Sequence, residues 1–307
     1  DLTRDNYESV TARMRELYRP GLYENILQNT CRIRAVMQNL DNPAYDDPLL
    51  RPVPMLGIGG EWNTFQDLAM QIIRGEQGFN SIDEYMEDRG ERLRKLKEQG
   101  AVAFKHTAHL YCEPDRQKAE EVFTNLRQGN EYWTKTNVPN PLCNYMTDCL
   151  LEVAGKLGMP IAVHTGVWHD FREMDVKEMI PHIMRHPEVR FDLLHMGLPE
   201  VRDMGQIGAN FGNVWLNMCW ATTLSPTMAA NALDEWLDQV PVNKIIAFGG
   251  DVRWSVEKVY GHLTLAKEVV AAVLSRRFDR GLLNREQALL LAHRFFFENP
   301  TELYVIG

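Results

Sequence analysis

The sequence lacks the features that mark membrane-spanning and nucleic-acid-binding proteins. No apolar run approaches the ~20 residues that a membrane-spanning helix needs. Positive charge is not in excess, because 33 lysine and arginine residues stand against 42 aspartate and glutamate residues. The net charge is therefore −9 and the pI is near 5.5. A chain of this charge repels polyphosphates and anionic membrane surfaces, so we expect neither a nucleic acid nor a membrane as partner.

Cysteine is scarce, and its spacing follows no known framework. The five cysteines are odd in number and include no Cys-x-x-Cys pair, which disfavours a disulfide scaffold and a structural zinc site. We expect reduced thiols in a cytoplasmic protein. The cysteines are Cys31, Cys112, Cys143, Cys149 and Cys219.

The sequence does contain strand-like runs that end on polar residues. His164 closes one apolar run, His195 closes a second, and Asp251 follows a third after two glycines. Short, continuously apolar runs are typical of strands buried on both faces. Ligands bind at the carboxyl ends of such strands in β/α folds. The runs are Pro160–Val163, Val189–Leu194 and Lys244–Phe248.

Four further strand candidates alternate with amphipathic segments that predict helices. Repeated β/α units predict a parallel sheet with right-handed crossovers. We expect one domain over residues 1–307, a TIM (β/α)8-type barrel that opens with a helical lead-in over residues 1–30. Only seven strands are found, and the missing one is expected to be the first. The four candidates are Arg32–Leu40, Arg51–Gly59, Ala101–Lys105 and Val214–Cys219.

A doubly wound open sheet is the alternative fold. The glycine-rich phosphate loop of many such sheets is absent, since Gly57-x-Gly59-Gly60 lacks the spacing of a dinucleotide fingerprint. In a barrel, His164, His195 and Asp251 converge on one mouth. Imidazole and carboxylate together suit zinc, manganese or iron, and a metal ion lowers the pKa of bound water to about 7. The alternative is that these three side chains only cap helices and satisfy backbone groups.

The three strand ends resemble those of the amidohydrolase superfamily. Val163-His164-Thr165-Gly166, Leu194-His195-Met196-Gly197 and Phe248-Gly249-Gly250-Asp251 are similar to its fifth, sixth and eighth strand ends. The closing Asn299-Pro300-Thr301-Glu302-Leu303-Tyr304 resembles the tail of the amidohydrolase-related branch. That branch includes aminocarboxymuconate-semialdehyde and γ-resorcylate decarboxylases as well as hydrolases. The resemblance covers roughly residues 30–307.

The resemblance implies a role for each strand-end residue. His164 would be a metal ligand, and Asp251 would bind metal and take a proton from the metal-bound water. His195 would be a second ligand or, in preference, a catalytic acid/base or substrate-polarising group. The cofactor expected is one divalent ion, zinc before manganese or iron. A homodimer is expected on the same ground.

The chain departs from the family at its start. The family's first strand carries a His-x-His pair that supplies two metal ligands, and no His-x-His occurs in this sequence. The chain begins at Asp1 with neither an initiator methionine nor a secretory signal. We expect that the first strand lies upstream of Asp1 and that residues 1–307 alone hold metal weakly. The alternative is a non-catalytic barrel whose metal site has decayed.

Five further residues are candidates for substrate binding. Lys105 ends one predicted strand, His106 and His109 follow it, and Trp168 lies on the loop after His164. Arg253 could hold a substrate carboxylate through two hydrogen bonds. For each of them a purely structural role is the alternative. The preferred function is hydrolysis of a small, polar, carboxylated substrate by metal-activated water, and the runner-up is a metal-dependent, non-oxidative decarboxylase.

Overall fold

A computed structural model describes residues 2–39, 47–57, 65–74, 79–135, 137–167, 170–253 and 255–306 of the chain. Strands and helices alternate along most of it. The strands are β1 (Val36–Gln38), β2 (Leu50–Pro52), β3 (Phe104–Thr107), β4 (Ile161–His164), β5 (Phe191–Leu193), β6 (Val214–Asn217) and β7 (Ile245–Ile246). The α-helices are α1 (Tyr7–Leu17), α2 (Leu22–Glu24), α3 (Phe65–Arg74), α4 (Ile82–Glu98), α5 (Arg116–Arg127), α6 (Pro141–Lys156), α7 (Ile180–Arg185), α8 (Val201–Asn210), α9 (Ala221–Leu224), α10 (Pro226–Gln239), α11 (Glu257–Asp279), α12 (Arg285–His293) and α13 (Asn299–Tyr304).

Helices begin where a side chain can accept from the free backbone N–H groups of the first turn. The Ser81 hydroxyl accepts from the Glu84 backbone at the start of α4, as its sequence spacing predicts. Asn140 and Ser225 cap α6 and α10 in the same way, each followed by a proline in the first turn. These local signals place the helices between the strands.

The strands are parallel, and their order in space follows their order in the chain. Hydrogen-bonded pairs join β1 to β2 and run in sequence from β3 to β7. The Lys105 amide donates to the Pro54 carbonyl, and a bridge pairs Met55 with Lys105, so the segment after β2 lies beside β3. A doubly wound sheet reverses its strand order at a switch point, whereas a barrel does not. The sequential order therefore fits the barrel.

Alternating side chains separate the two faces of the sheet. Phe104, Val163 and Leu193 point outward into the large apolar cluster that the helices cover. Ala103, Ala162 and Ile246 point the other way, into a smaller cluster together with Leu303 and Tyr304 near the carboxyl terminus. Because strands from both ends of the sheet contribute to this inner cluster, the sheet curls around it.

These features confirm the predicted fold class, an α/β fold of the (β/α)8-barrel type. Each predicted strand contains or overlaps an observed one. The observed strands are shorter by one to several residues, except β4, which has the length of Pro160–Val163 and is shifted by one residue. The ends of the first two predicted strands, at Leu40 and at residues 58–59, lie outside the described residues. In the described ranges no backbone pairing joins β7 to β1. The single-domain assignment stays a prediction.

None of the helices in the described part of the chain is long and apolar enough to cross a membrane.

Candidate active site

Two histidines meet at the carboxyl ends of adjacent strands. His164 is the last residue of β4, and His195 follows β5 by two residues. Their ring centroids lie 4.4 Å apart, with the ring planes at 61°. His195 is buried and His164 is partly buried. Parallel pairing of β4 with β5 produces this contact, because it brings both strand ends to the same rim.

The backbone turns sharply at this rim. Left-handed φ values, which residues with a Cβ atom rarely adopt, occur after β4, β5, β6 and β7. At Gly166 the left-handed turn is also enforced by packing, because an added Cβ atom would lie 1.9 Å from the carbonyl oxygen of Leu198. Such turns change the direction of the backbone where each strand ends. The non-glycine residues concerned are Val167, His195, Met196, Trp220 and Asp251.

His195 is held in one tautomer. Its Nδ1 atom lies 3.0 Å from the carbonyl oxygen of Cys219, and a carbonyl oxygen only accepts, so Nδ1 carries the ring proton. Burial lowers the pKa of His195 to about 4, with a contribution from Lys105 that the Asp251 carboxylate opposes. The ring is therefore neutral at pH 7, and Nε2 carries a lone pair. This state suits a metal ligand or a base, and not a hydrogen-bond donor to an oxyanion.

His164 is neutral for the same reason. Burial lowers its pKa to about 2, with smaller contributions from the charges of Lys105 and His195. A neutral imidazole is the form that binds transition metals. The chemistry of this residue thus agrees with the ligand role that its sequence context implies.

Lys105 points to the inner face of the barrel from β3. Within the described structure its ammonium nitrogen is sealed from solvent and has no hydrogen-bond partner. Burial lowers its pKa to about 8, and the nearby acidic groups Cys219, Asp251 and Asp192 oppose that shift. The same lysine also lowers the pKa of both site histidines. Lys105 therefore faces the group formed by His164, His195 and Asp251.

A carboxylate that the sequence analysis missed lies beneath this group. Asp192, on β5, accepts hydrogen bonds through Oδ2 from Asn217 and from the Tyr304 hydroxyl. Burial raises its pKa to about 6, and Tyr304, Asn217 and Lys105 oppose the shift. The available signal was strand alternation, since an aspartate inside the apolar run Phe191-Asp192-Leu193 must face the barrel interior.

Asp251 and Arg253 are exposed on the segment that follows β7. The Asp251 carboxylate raises the pKa of both Lys105 and His195, so it lies within electrostatic range of each. Arg253 is two residues further along the same segment. Of the residues singled out from the sequence, His164 and His195 are in contact, Lys105 lies within electrostatic range of both, and Asp251 lies within electrostatic range of His195 and Lys105.

The structure does not group His106 and His109 with the residues at the mouth. Neighbouring residues of a strand face opposite sides, so Lys105 points inward and His106 points outward. His106 contacts His109, which in turn contacts His182 on α7. No observation places either histidine at the mouth, and their substrate role stays a prediction. Trp168 lies outside the described residues.

The described donor atoms at the mouth match a divalent cation in kind, but they do not stand close enough together to hold one. Two neutral imidazoles and a carboxylate are the ligand types that zinc, manganese and iron accept. A catalytic zinc needs three protein ligands arranged around an open position. In the part of the chain that the structure describes, no three histidine, cysteine, aspartate or glutamate side chains stand close enough to hold an ion. The described residues therefore offer an incomplete site.

Comparison with known sequences identifies one family. The sequence model described as amidohydrolase matches residues 77–304. No protein with a curated description matches the chain.

Comparison with solved structures supports the fold. A provisionally assigned metal-dependent hydrolase from Lactobacillus casei has a TM-score of 0.73 and 17% identity, over 93% of this chain and 76% of its own. Uronate isomerase from Thermotoga maritima has 0.65 and 14%, over 85% and 63%. Glucuronate isomerase from Caulobacter crescentus has 0.69 and 15%, over 99% and 70%. At these identities the likeness shows a shared fold.

Proposed function

Because this chain belongs to the amidohydrolase family, whose model matches residues 77–304, we propose that it is a metal-dependent hydrolase acting on a small, polar, carboxylated molecule. The observation that carries this proposal is the contact between His164 and His195. Two neutral imidazoles lie 4.4 Å apart at the ends of adjacent barrel strands. They are a suitable arrangement for binding one cation.

His164 and Asp251 would hold the ion, with Nε2 of His195 as a further ligand or a base. Such an ion, zinc in first place, would polarise a carbonyl group and acidify a water molecule. The remaining ligands would come from outside the described residues. The homodimer implied by the family resemblance stays a prediction.

Individual side chains have separate roles in the proposed reaction. A carboxylate oxygen of Asp251 takes the proton that the attacking water loses. The ammonium group of Lys105 stabilises negative charge that develops on the substrate, because it is a buried cation without a protein partner within the described structure. His195 cannot take that part at neutral pH, since its Nδ1 proton is committed to Cys219. Arg253 binds the substrate carboxylate at the exposed edge.

An isomerase of hydroxy acids is the second candidate. The pKa of Lys105 near 8 favours it, because a group that gains and loses a proton near neutral pH can move one between two carbon atoms. Two of the structures with this fold are isomerases of uronate and glucuronate.

Isotope labelling separates these reactions. The protein is dialysed against chelator, supplied with Zn²⁺ or Mn²⁺, and incubated with carboxylated amides, esters and lactones in H₂¹⁸O and, separately, with uronic acids in D₂O. Hydrolysis puts one ¹⁸O atom into a product. Isomerisation exchanges a carbon-bound hydrogen for deuterium, and decarboxylation releases carbon dioxide without ¹⁸O in the organic product.

The site variants test the residues. His164→Ala and Asp251→Asn should each lower metal-dependent turnover by at least a hundredfold. His293→Gln is the matched control, because His293 is an exposed histidine on α12. If no substrate is turned over with either metal, or if turnover survives both site substitutions, the proposed hydrolase function is wrong.

A further inference from the structure

A second group of histidines lies on the outer face of the sheet, away from the mouth. His106 on β3, His109 in the segment after β3, and His182 on α7 form a row of rings. The centroids of His106 and His109 are 5.3 Å apart, and those of His109 and His182 are 5.7 Å apart. Tyr111 stands edge-on to His182 at 5.1 Å and completes the row.

The row is buried but poorly satisfied. Among the described residues, both ring nitrogens of His106 and of His182 are sealed from solvent without a hydrogen-bond partner. The ring of His109 lies beside the Thr107 carbonyl and the Asn144 side chain. Leaving a buried polar group unpaired costs about 1–3 kcal/mol. These side chains do not converge as metal ligands do, because His109 lies between the other two and, within the described structure, no three such groups could hold an ion. Their shared property is that each must stay uncharged to remain packed.

We propose that His106, His109 and His182 form an acid-sensitive clasp, which fastens residues 107–112 to α7 while its rings are neutral and releases them when a ring is protonated. The clasp concerns a site apart from the proposed catalytic mouth and does not depend on the proposed reaction.

Electrostatics supports this switch and sets its direction. Burial lowers the pKa of His106 well below its ordinary value, lowers that of His109, and lowers that of His182 to about 3. An unfolded or opened chain has histidine pKa values near 6.5. Below about pH 6.5 the opened form therefore binds protons that the closed form excludes. Stability is full above that pH and falls as the pH decreases.

The charged groups around the row do not remove this penalty. Lys105 on β3, Arg185 on α7 and His186 just after α7 oppose a charge on the row. Asp148 on α6 favours a charge on His182, but it is already paired with Arg185 and His186 at 2.9 and 2.8 Å. The acidic groups that contact Tyr111 are engaged. Glu178 accepts from the Tyr111 amide, and Glu113 accepts from the Tyr111 hydroxyl and pairs with Arg185. Burial raises the pKa of Tyr111 and of Cys112, so both are uncharged.

The clasp lies directly behind one side of the candidate active site. The amide of Ala108, between His106 and His109, donates to the carbonyl oxygen of His164 at 2.9 Å. Release of residues 107–112 would break this bond and free the end of β4. Acidification would then loosen the position of His164 without protonating it.

Hydrogen exchange of the intact chain at pH 7 and pH 5 tests the proposal directly. After correction for intrinsic rates, the protection factors of the amides of residues 106–112 and of α7 should be at least tenfold lower at pH 5 than at pH 7. The population of the opened form should rise about tenfold per unit decrease in pH for each proton that opening takes up. Amides of α10, which takes no part in the clasp, should change less.

Two further measurements keep the proposal testable if a variant does not fold. Ring-labelled histidine NMR of the native protein, with the signals assigned, should show that His106, His109 and His182 titrate below the ordinary histidine pKa near 6.5. In His182→Gln the pH slope of the unfolding free energy should fall by about one proton, and in His293→Gln it should not change. Rings that all titrate near pH 6.5, unchanged protection of residues 106–112 at pH 5, or an unaltered slope in His182→Gln would each overturn the clasp.

Discussion

The Nδ1 atom of His195 donates to the carbonyl oxygen of Cys219 over 3.0 Å, and this bond decides what His195 can do. It ties the end of β5 to the end of β6 and leaves Nε2 as a lone-pair donor toward the mouth. The sequence predicts that His195 is a second ligand or, in preference, a catalytic acid/base or substrate-polarising group. Among these roles, the bonding pattern favours a ligand or a base.

Substitution of His195 by asparagine distinguishes the roles of its two ring nitrogens. Asn keeps a donor near the position of Nδ1 but has no group at the position of Nε2. We expect His195→Asn to keep the wild-type unfolding free energy to within about 1 kcal/mol. We expect kcat/KM to fall by about 10²–10⁴, because the function lies in Nε2. Thermal unfolding and steady-state kinetics measured together would contradict this if activity were retained.

Lys105 should lower the unfolding free energy of the wild-type protein at pH 7. Its pKa of about 8 lies below the value near 10.4 of an unfolded chain, so at pH 7 the folded state carries a buried charge that the unfolded state hydrates better. Lys105→Met should raise the unfolding free energy at pH 7 by on the order of 2 kcal/mol and abolish turnover. The gain should shrink as the pH rises from 8 to above 10. Urea unfolding at pH 7 and pH 10 measures both, and the exposed, ion-paired Lys95 provides the control substitution Lys95→Met.

Gly166 is required by both its backbone angle and its packing. Its φ is +60°, and an added Cβ atom would lie 1.9 Å from the Leu198 carbonyl oxygen. Gly166→Ala should therefore cost more than about 3 kcal/mol, or prevent folding. Gly158→Ala, with φ +65° and open space, should cost about 1 kcal/mol, and Gly212→Ala, which has neither constraint, should be nearly neutral. Equal losses at Gly166 and Gly158 would show that the close approach does not matter.

Asp192 should give a pH dependence of the opposite sign to the clasp. Burial raises its pKa to about 6, above the unfolded value near 3.9, so the folded state binds the proton more tightly. The stability linked to this group is full below about pH 4 and is lost as the pH rises through 6. Asp192→Asn should thus gain stability relative to the wild type between pH 4.5 and pH 7.5. Paired denaturation curves at both pH values measure this difference, in which contributions from other groups cancel.

The strand ends were predictable because their chemistry is local. An apolar run that stops on His164 or His195 can be read directly from neighbouring residues, and the barrel then places both at one rim. The alternation of Lys105 and His106 was equally local. It indicates that Lys105 and His106 face opposite sides of the sheet.

Other features depend on contacts that the sequence does not display. The tautomer of His195 is set by a carbonyl group 24 residues away in the chain. The turn at Gly166 is set by Leu198, and the bonding of Asp192 is set by Tyr304 near the carboxyl terminus. Each of these pairs is distant in sequence and close only after the sheet has curled.

The central claim is that His164 and Asp251, with further ligands from outside the described residues, bind one divalent ion at the mouth that His195 faces. Anomalous scattering from crystals soaked in Zn²⁺ tests it most directly. We predict one dominant peak within about 2.0–2.2 Å of an imidazole nitrogen of His164 and of a carboxylate oxygen of Asp251, with Nε2 of His195 directed toward it. A well-ordered crystal with no peak at this mouth, or with its dominant peak elsewhere, would contradict the account.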